Sequence, residues 1–225
     1  SLGIGKDGVP GYPLIDAYLT GKELKLVAEV DASVSDFMTT ARLYCSGLNF
    51  TYNPNRMILN KVTDCYLTRK DGERIEIQDD QLYHVVTDLY TGQMLGSVMD
   101  LSYGLLSLQP KDKEGHPIEN LEDYAIMEGS RELKAWDAIA RYMQSFDDTD
   151  GDGIANVPEY YATTHGRKVV DDSKNIIDLV KHPNKFSAII IMICLIVVAI
   201  IVLVIILIRK LIRRARKKNS ESKEE

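Results

Sequence analysis

Residues Phe186 to Ile208 run for 23 positions without a charge, with Ser187 the one interruption of apolar character. At about 1.5 Å rise per residue a helix of that length reaches roughly 35 Å, enough to cross a hydrocarbon core of about 30 Å. The alternative is a buried core helix. Such a helix rarely exceeds about 18 apolar residues, and this one is followed by Arg209, Lys210, Arg213, Arg214, Arg216, Lys217 and Lys218 with no acid among them. On the other side, Asp171 to Lys185 balances Lys174, Lys181 and Lys185 against three aspartates. The asymmetry is that of cytoplasmic loops, so the expectation is a single-pass membrane protein with its N-terminal part extracellular.

Composition fits two compartments. The chain carries 27 Lys and Arg against 33 Asp and Glu. The basic tail 209–225 holds a disproportionate share of the cations, which leaves residues 1–208 with a net charge of about −11. An acidic surface of this kind argues against nucleic acid as a partner. About 150 residues ahead of the stalk suffice for one packed core. Cysteines are few, and a domain of this size does not need the pairing of Cys45 with Cys65. The chain opens on Ser1 and shows no charged segment followed by an apolar one, so an exported topology has no export signal here. It reads as the C-terminal part of a longer protein.

Local signals outline the extracellular part. Gly3, Gly5, Gly8, Pro10, Gly11 and Pro13 predict a loop. Thr20 and Glu23 form a T-x-x-E capping box ahead of Leu24, Val27 and Ala28, which places a helix start near Gly21. Leu48, Phe50 and Tyr52 alternate as a strand, closed by the turn Asn53-Pro54-Asn55. Between Lys61 and Ile77 two β-prone segments flank Asp71-Gly72, a hairpin in which glycine supplies the positive φ. A further strand covers Leu82 to Val86, followed by a turn-rich Tyr90-Thr91-Gly92 and then Tyr103 to Leu108. Leu133, Trp136, Ile139, Ala140, Met143 and Phe146 form one apolar stripe on a helix, with Trp136 expected in the core. Strands and helices mixed without strict alternation predict an α+β domain, a mixed sheet with packed helices, followed by the single transmembrane helix.

Asp148-Thr149-Asp150-Gly151-Asp152-Gly153, followed after five intervening residues by Glu159, satisfies the calcium-loop pattern D-x-[DN]-x-[DN]-G-x5-E. Ca²⁺ takes six to eight oxygens at about 2.3 to 2.6 Å, and alternate carboxylates on a tight turn can converge on it. Asp148, Asp150 and Asp152 would fill the first positions, the Ile154 carbonyl the next, Asn156 a direct or water-mediated one, and Glu159 the bidentate close. Ala155, Pro158 and Tyr160-Tyr161 do not read as the helix that would complete an EF-hand. A solvated acidic turn that ends the preceding helix is the alternative. No G-x-S-x-G, H-E-x-x-H or P-loop pattern occurs, so no catalytic centre is expected within the chain.

The segments Gly11-Tyr-Pro-Leu-Ile-Asp-Ala-Tyr-Leu-Thr-Gly-Lys-Glu-Leu24, Leu43-Tyr-Cys-Ser-Gly-Leu-Asn-Phe-Thr-Tyr-Asn53 and Leu82-Tyr-His-Val-Val-Thr-Asp-Leu-Tyr90 together resemble the C-terminal domain of the 5'-nucleotidase / 2',3'-cyclic phosphodiesterase family. The resemblance covers roughly residues 1–147. It implies a missing N-terminal metallophosphatase domain that holds two divalent metals, and a nucleotide or nucleoside partner bound by the C-terminal domain. In the family the base lies between two aromatic rings. By position Tyr90 corresponds to the second ring and Tyr44, approximately, to the first. The family's Gly-Gly-x-x-Arg segment has no counterpart here, and its Gly-Gly-Asp-Gly stretch would fall on Gln93 to Ser97, which does not reproduce it.

The organisation expected is therefore a nucleotidase C-terminal-like domain over 1–147, a calcium-loop-like segment and stalk over 148–185, the span over 186–208 and a cytoplasmic tail over 209–225. The implied function is nucleoside recognition for a membrane-anchored extracellular phosphohydrolase that scavenges nucleotides. Sparse cysteines and a C-terminal anchor suit a Gram-positive cell surface. The rival is a non-catalytic, calcium-stabilised surface module that has lost nucleotide binding.

Overall fold

The computed structural model describes residues 3–35, 37–38, 42–101 and 106–221. Of the segment Tyr103 to Leu108, the first part lies outside these residues, while Leu106 and Leu108 are buried without belonging to a helix or strand. The chain divides into two compact units, one formed by Ser1–Pro54 with Lys61–Asp172, the other by Asn55–Asn60 with Ser173–Glu225.

The first unit has an α+β architecture. Strand β1 (Leu14–Thr20) leads straight into helix α1 (Gly21–Val34). The sequence of β1 alternates, burying Ile15, Ala17 and Leu19 while Asp16 stays exposed, a period-2 signal that local reading passed over. The capping box forms as expected: the Thr20 hydroxyl accepts from Glu23 N, and the Glu23 carboxylate accepts from Thr20 N at 2.8 Å. Gly21 is needed for a different reason than helix entry, since a Cβ there would stand 2.0 Å from the Gln78 carbonyl oxygen.

Strands β2 (Leu48–Tyr52), β3 (Val62–Thr68) and β4 (Arg74–Glu76) follow, then β5 (Leu82–Asp88) and helix α2 (Leu89–Leu101). The β3–β4 hairpin turns where expected, with Gly72 at φ 87°. After these come the short pair β6 (Met127–Glu128) and β7 (Arg131–Glu132), helix α3 (Ala135–Gln144) and strand β8 (Lys168–Val170). β5 pairs antiparallel with β1, and a four-stranded mixed sheet runs β4-β3-β2-β8 with β8 parallel to β2.

Helix α1 supplies the core. Leu24, Val27, Ala28 and Ala32 cluster with Leu19, Leu48, Phe50, Ile77 and Leu108. Three of its acids are buried too, and each is fully used. Glu29 accepts from Lys61 N at 2.5 Å and Val62 N at 2.9 Å, which fixes the start of β3. Asp31 accepts from Leu43 N at 2.8 Å and pairs with Lys168 Nζ at 2.5 Å, which ties β8 to the helix. Glu23 receives Lys111 Nζ at 2.7 Å and Gln109 N at 3.0 Å. Burial works to raise the Glu23 carboxyl, but the Lys111, Thr20 and Gln109 hydrogen bonds outweigh it and hold the group below its ordinary range. Cys45 and Cys65 are free thiols, and burial pushes the Cys65 thiol up to about 12.

Two expectations need correction. Trp136 is not a core residue: it is 52% exposed, and Ile139 and Met143 on the same stripe are exposed with it. The indole instead lies over Gly11 and donates from Nε1 to the Pro10 carbonyl at 3.0 Å. An amphipathic pattern specifies that a face needs cover, not that this chain provides it. Nor is Tyr90-Thr91-Gly92 a turn. Asp88 accepts from Thr91 N at 2.9 Å and from Thr91 Oγ1 at 2.7 Å, a cap that starts α2 directly at the end of β5.

In the second unit, helix α4 (Ile176–Val180) is followed by helix α5 (Lys185–Glu221). Arg56 donates to the Asn60, Asp178 and Lys181 carbonyls, and Asn184 donates to the Leu59 carbonyl. The stretch Lys185–Arg213 of α5 is long and apolar enough to cross a membrane, and its apolar window is 0% buried, unlike a core helix.

Candidate functional site

The antiparallel pairing of β1 with β5 builds the site. Leu14 faces Asp88 in the register, so the residues just before β1 and just after β5 meet at one end of the pair. The Leu89 N–H donates to the Pro13 carbonyl at 2.9 Å and extends the ladder past its last paired residues. Tyr12 and Tyr90 are therefore neighbours, with ring centroids 5.4 Å apart and planes tilted by 36°. Tyr90 is 43% exposed and Tyr12 half-buried. Gly92, one turn into α2, allows the helix to sit close: a Cβ there would stand 2.8 Å from Ile15 Cδ1.

Tyr44 lies elsewhere. It is 87% exposed on the segment leading to β2, with Lys168 Nζ 5.4 Å from its ring centroid. Among the described residues Tyr44 and Tyr90 make no ring contact, and the ring that meets Tyr90 is Tyr12. Sequence reasoning passed over Tyr12. The signal that could have found it was Gly11-Tyr12-Pro13 standing immediately before an alternating strand.

A base held between two rings needs two van der Waals gaps of about 3.5 to 4.0 Å each. With centroids at 5.4 Å, Tyr12 and Tyr90 are closed on each other. A cavity of ≈ 230 Å³ beside Tyr12 is lined by Lys6, Leu89, Gln93, Glu122 and Glu132, among others. That is smaller than the roughly 300 to 1,000 Å³ of small-molecule sites. Tyr90 is the more exposed ring of the two and presents aromatic surface to solvent.

The acidic loop forms a second candidate. Carboxylate oxygens of Asp148, Asp150 and Asp152 lie within 4.8 Å of one another. Oxygens bound to one Ca²⁺ are at most about 5 Å apart, twice the metal–oxygen distance, so the three carboxylates fit a divalent ion such as Ca²⁺. The loop is held by its own backbone. Gly153 N and Gly151 N donate to Asp148, and these two bonds keep the Asp148 carboxyl below its ordinary range. Ile154 N donates to Asp152 Oδ1 at 2.8 Å, and Asn156 Oδ1 accepts from Thr149 N at 2.6 Å. Glu159 is outside the three-aspartate group and opens a short 3-10 turn, Glu159–Ala162.

No curated protein matches the chain. Among solved structures, the NAD nucleotidase NadN of Haemophilus influenzae is similar at 26% identity over 36% of this chain and 15% of that one, with a TM-score of 0.30. The 5'-nucleotidase precursor of Thermus thermophilus is similar at 17% identity over 72% of this chain and 26% of that one, with a TM-score of 0.38. The chain thus spans about a quarter or less of the length of either structure. The family model for 5'-nucleotidase, C-terminal domain, matches residues 11–99, a stretch that begins just before Tyr12 and β1 and ends within α2. With that match, residues 11–99 of the chain correspond to the 5'-nucleotidase C-terminal domain family.

Proposed function

We propose that this chain recognises the nucleoside moiety of nucleotides for a membrane-anchored, extracellular phosphohydrolase whose metals and hydrolytic chemistry reside in a separate metallophosphatase domain. The observation that carries the reading is the placement of Tyr90, half-exposed at the end of β5 inside the matched stretch, with Tyr12 against it. A tyrosine face offers offset stacking to a flat base while its hydroxyl stays wet, and stacking contributes about 1 to 3 kcal/mol per base without demanding one base identity. Lys6 and Gln93 in the adjoining cavity offer donors to polar groups of the ligand. Divalent metals bound by the separate domain would activate water for attack on the phosphate monoester. Helix α5 would hold the assembly at the cell membrane, its basic tail inside and the acidic remainder outside. Removal of the phosphate turns an impermeant anion into an importable nucleoside, which fits nucleotide scavenging at a bacterial, Gram-positive surface.

The test is a titration of adenosine and AMP against this chain joined to its metallophosphatase domain. Tyr90→Ala should weaken binding by about 1 to 3 kcal/mol, with little change in melting temperature. Tyr44→Ala tests the other ring that the family resemblance points to, and loss of affinity there would restore the Tyr44–Tyr90 assignment. Unchanged affinity in the Tyr90 variant would leave the tyrosine a structural residue and remove the basis of the reading.

A second reading has an observation of its own. Where the family carries a glycine-rich stretch, Gln93 to Ser97 continues α2 as helix, and the rings of Tyr12 and Tyr90 are closed together. A calcium-stabilised surface module without nucleotide binding accounts for both. Absence of any adenosine binding, with Ca²⁺ bound at Asp148, Asp150 and Asp152, would favour it.

A further inference from the structure

Helix α5 does not end where the uncharged run ends. It continues unbroken from Lys185 to Glu221, so the apolar run and the cations after it belong to one rod. Arg209, Lys210 and Arg213 are exposed, and Arg214, Arg216, Lys217 and Lys218 follow with no acid before Glu221. Leu211 and Ile212, 63% and 48% exposed, carry apolar surface within the same turn as the first cation. At about 100° per residue, Arg209, Arg213 and Lys210 share an arc of about 100°, while Leu211 and Ile212 fall outside it. One side of this turn favours the edge of a hydrocarbon layer and the other favours anions.

Distance supports the same partner. The first six positions past Ile208 lie within about 9 Å of it along the axis, inside a Debye length of about 8 to 10 Å at ordinary salt. Headgroup phosphates are therefore within unscreened reach of Arg209, Lys210 and Arg213. Four of the seven cations are arginines, whose planar forks match phosphate oxygens two at a time. We propose that the segment Arg209 to Lys218 of α5 binds anionic phospholipid, its cations engaging headgroup phosphates at the inner face of the membrane. The inference rests on α5 spanning the bilayer.

The test uses the full chain reconstituted in phosphatidylcholine vesicles containing about 30% phosphatidylglycerol, with trace spin-labelled lipid of either headgroup. Lipid in contact with a spanning helix gives a motionally restricted signal, and its size for each headgroup measures preference. We expect phosphatidylglycerol to be favoured about fivefold at low salt, with the preference collapsing in 1 M NaCl. Replacing Arg213, Arg214, Arg216, Lys217 and Lys218 by glutamine should cut the preference to about twofold, the remainder coming from Arg209 and Lys210, which also keep the topology signal. A restricted signal without headgroup preference overturns this inference and leaves the span intact. A preference undiminished in the glutamine variant overturns the assignment to the tail. No restricted signal for either lipid overturns the span and the inference together.

Discussion

Helix α1 buries ten of its fourteen residues, whereas α3, with an apolar stripe just as regular, buries none. Both were legible as amphipathic helices. What separates them is whether the rest of the chain brings a partner surface to the stripe. For α1 it does, through β2, Ile77 and Leu108. For α3 the described contacts are peripheral: the loop at Pro10 and Gly11, the Arg141–Glu128 ion pair and the rings around Tyr161. Periodicity encodes a face in one segment, but burial is a property of two.

The contrast can be broken most directly in the core of α1. Leu24→Ala should cost about 2 to 5 kcal/mol, because the side chain is 6% exposed and the cluster around it cannot collapse freely. Denaturant midpoints for the chain in detergent would measure this, and a loss below 1 kcal/mol would mean that α1 is no better anchored than α3. Acid is the next lever. The folded Glu23 carboxyl sits below its ordinary value of 4.5, so its stabilising effect is complete above that pH and is lost as pH falls through 4.5 toward the folded value. Wild-type stability should drop over that window more steeply than that of Glu23→Gln. Parallel curves for the two proteins would show that the Lys111 pair does not anchor the helix.

From its C-terminal end, α3 can be sharpened with calcium. An isolated loop is expected to bind with a dissociation constant of about 10⁻⁴ to 10⁻³ M. At about 5 mM Ca²⁺, linkage then predicts roughly 1 to 2 kcal/mol of stabilisation, lost in Asp150→Ala. A melting curve indifferent to Ca²⁺ would leave the loop as a helix terminator. The smallest effect belongs to the exposed stripe. Ile139→Ser should change stability by no more than about 0.5 kcal/mol. Trp136, the one tryptophan in the chain, supplies the readout: its fluorescence should be quenched readily by iodide. Emission shielded from iodide would show that something covers α3 in solution.

The features read correctly from sequence are those whose cause is local. Thr20 and Glu23 are three residues apart and close on each other, and Asp71-Gly72 needs only its own backbone to turn. The α2 start was misread because Tyr90-Thr91-Gly92 has turn composition, although the cap that decides the matter, Asp88 on Thr91, is local too. The site was less legible than the fold. Tyr12 reaches Tyr90 only through the pairing of β1 with β5, and no spacing within either segment announces that register. The three aspartates converge as their spacing required, while Glu159, seven residues beyond Asp152, does not join them.

Strand β8 is three residues long and arrives late. It lies along Phe50 to Tyr52, yet every residue from β3 to Arg167 is made before it. During synthesis the outer edge of β2 therefore stays unpaired while most of the domain emerges, and Asp31 waits as long for Lys168. Non-local pairing of this kind slows folding and leaves an open strand edge as a template for wrong partners. Exported across a membrane, such a chain would carry this additional open edge along β2 until Lys168 to Val170 docks, and that edge is where a chaperone acting in the interval would be needed.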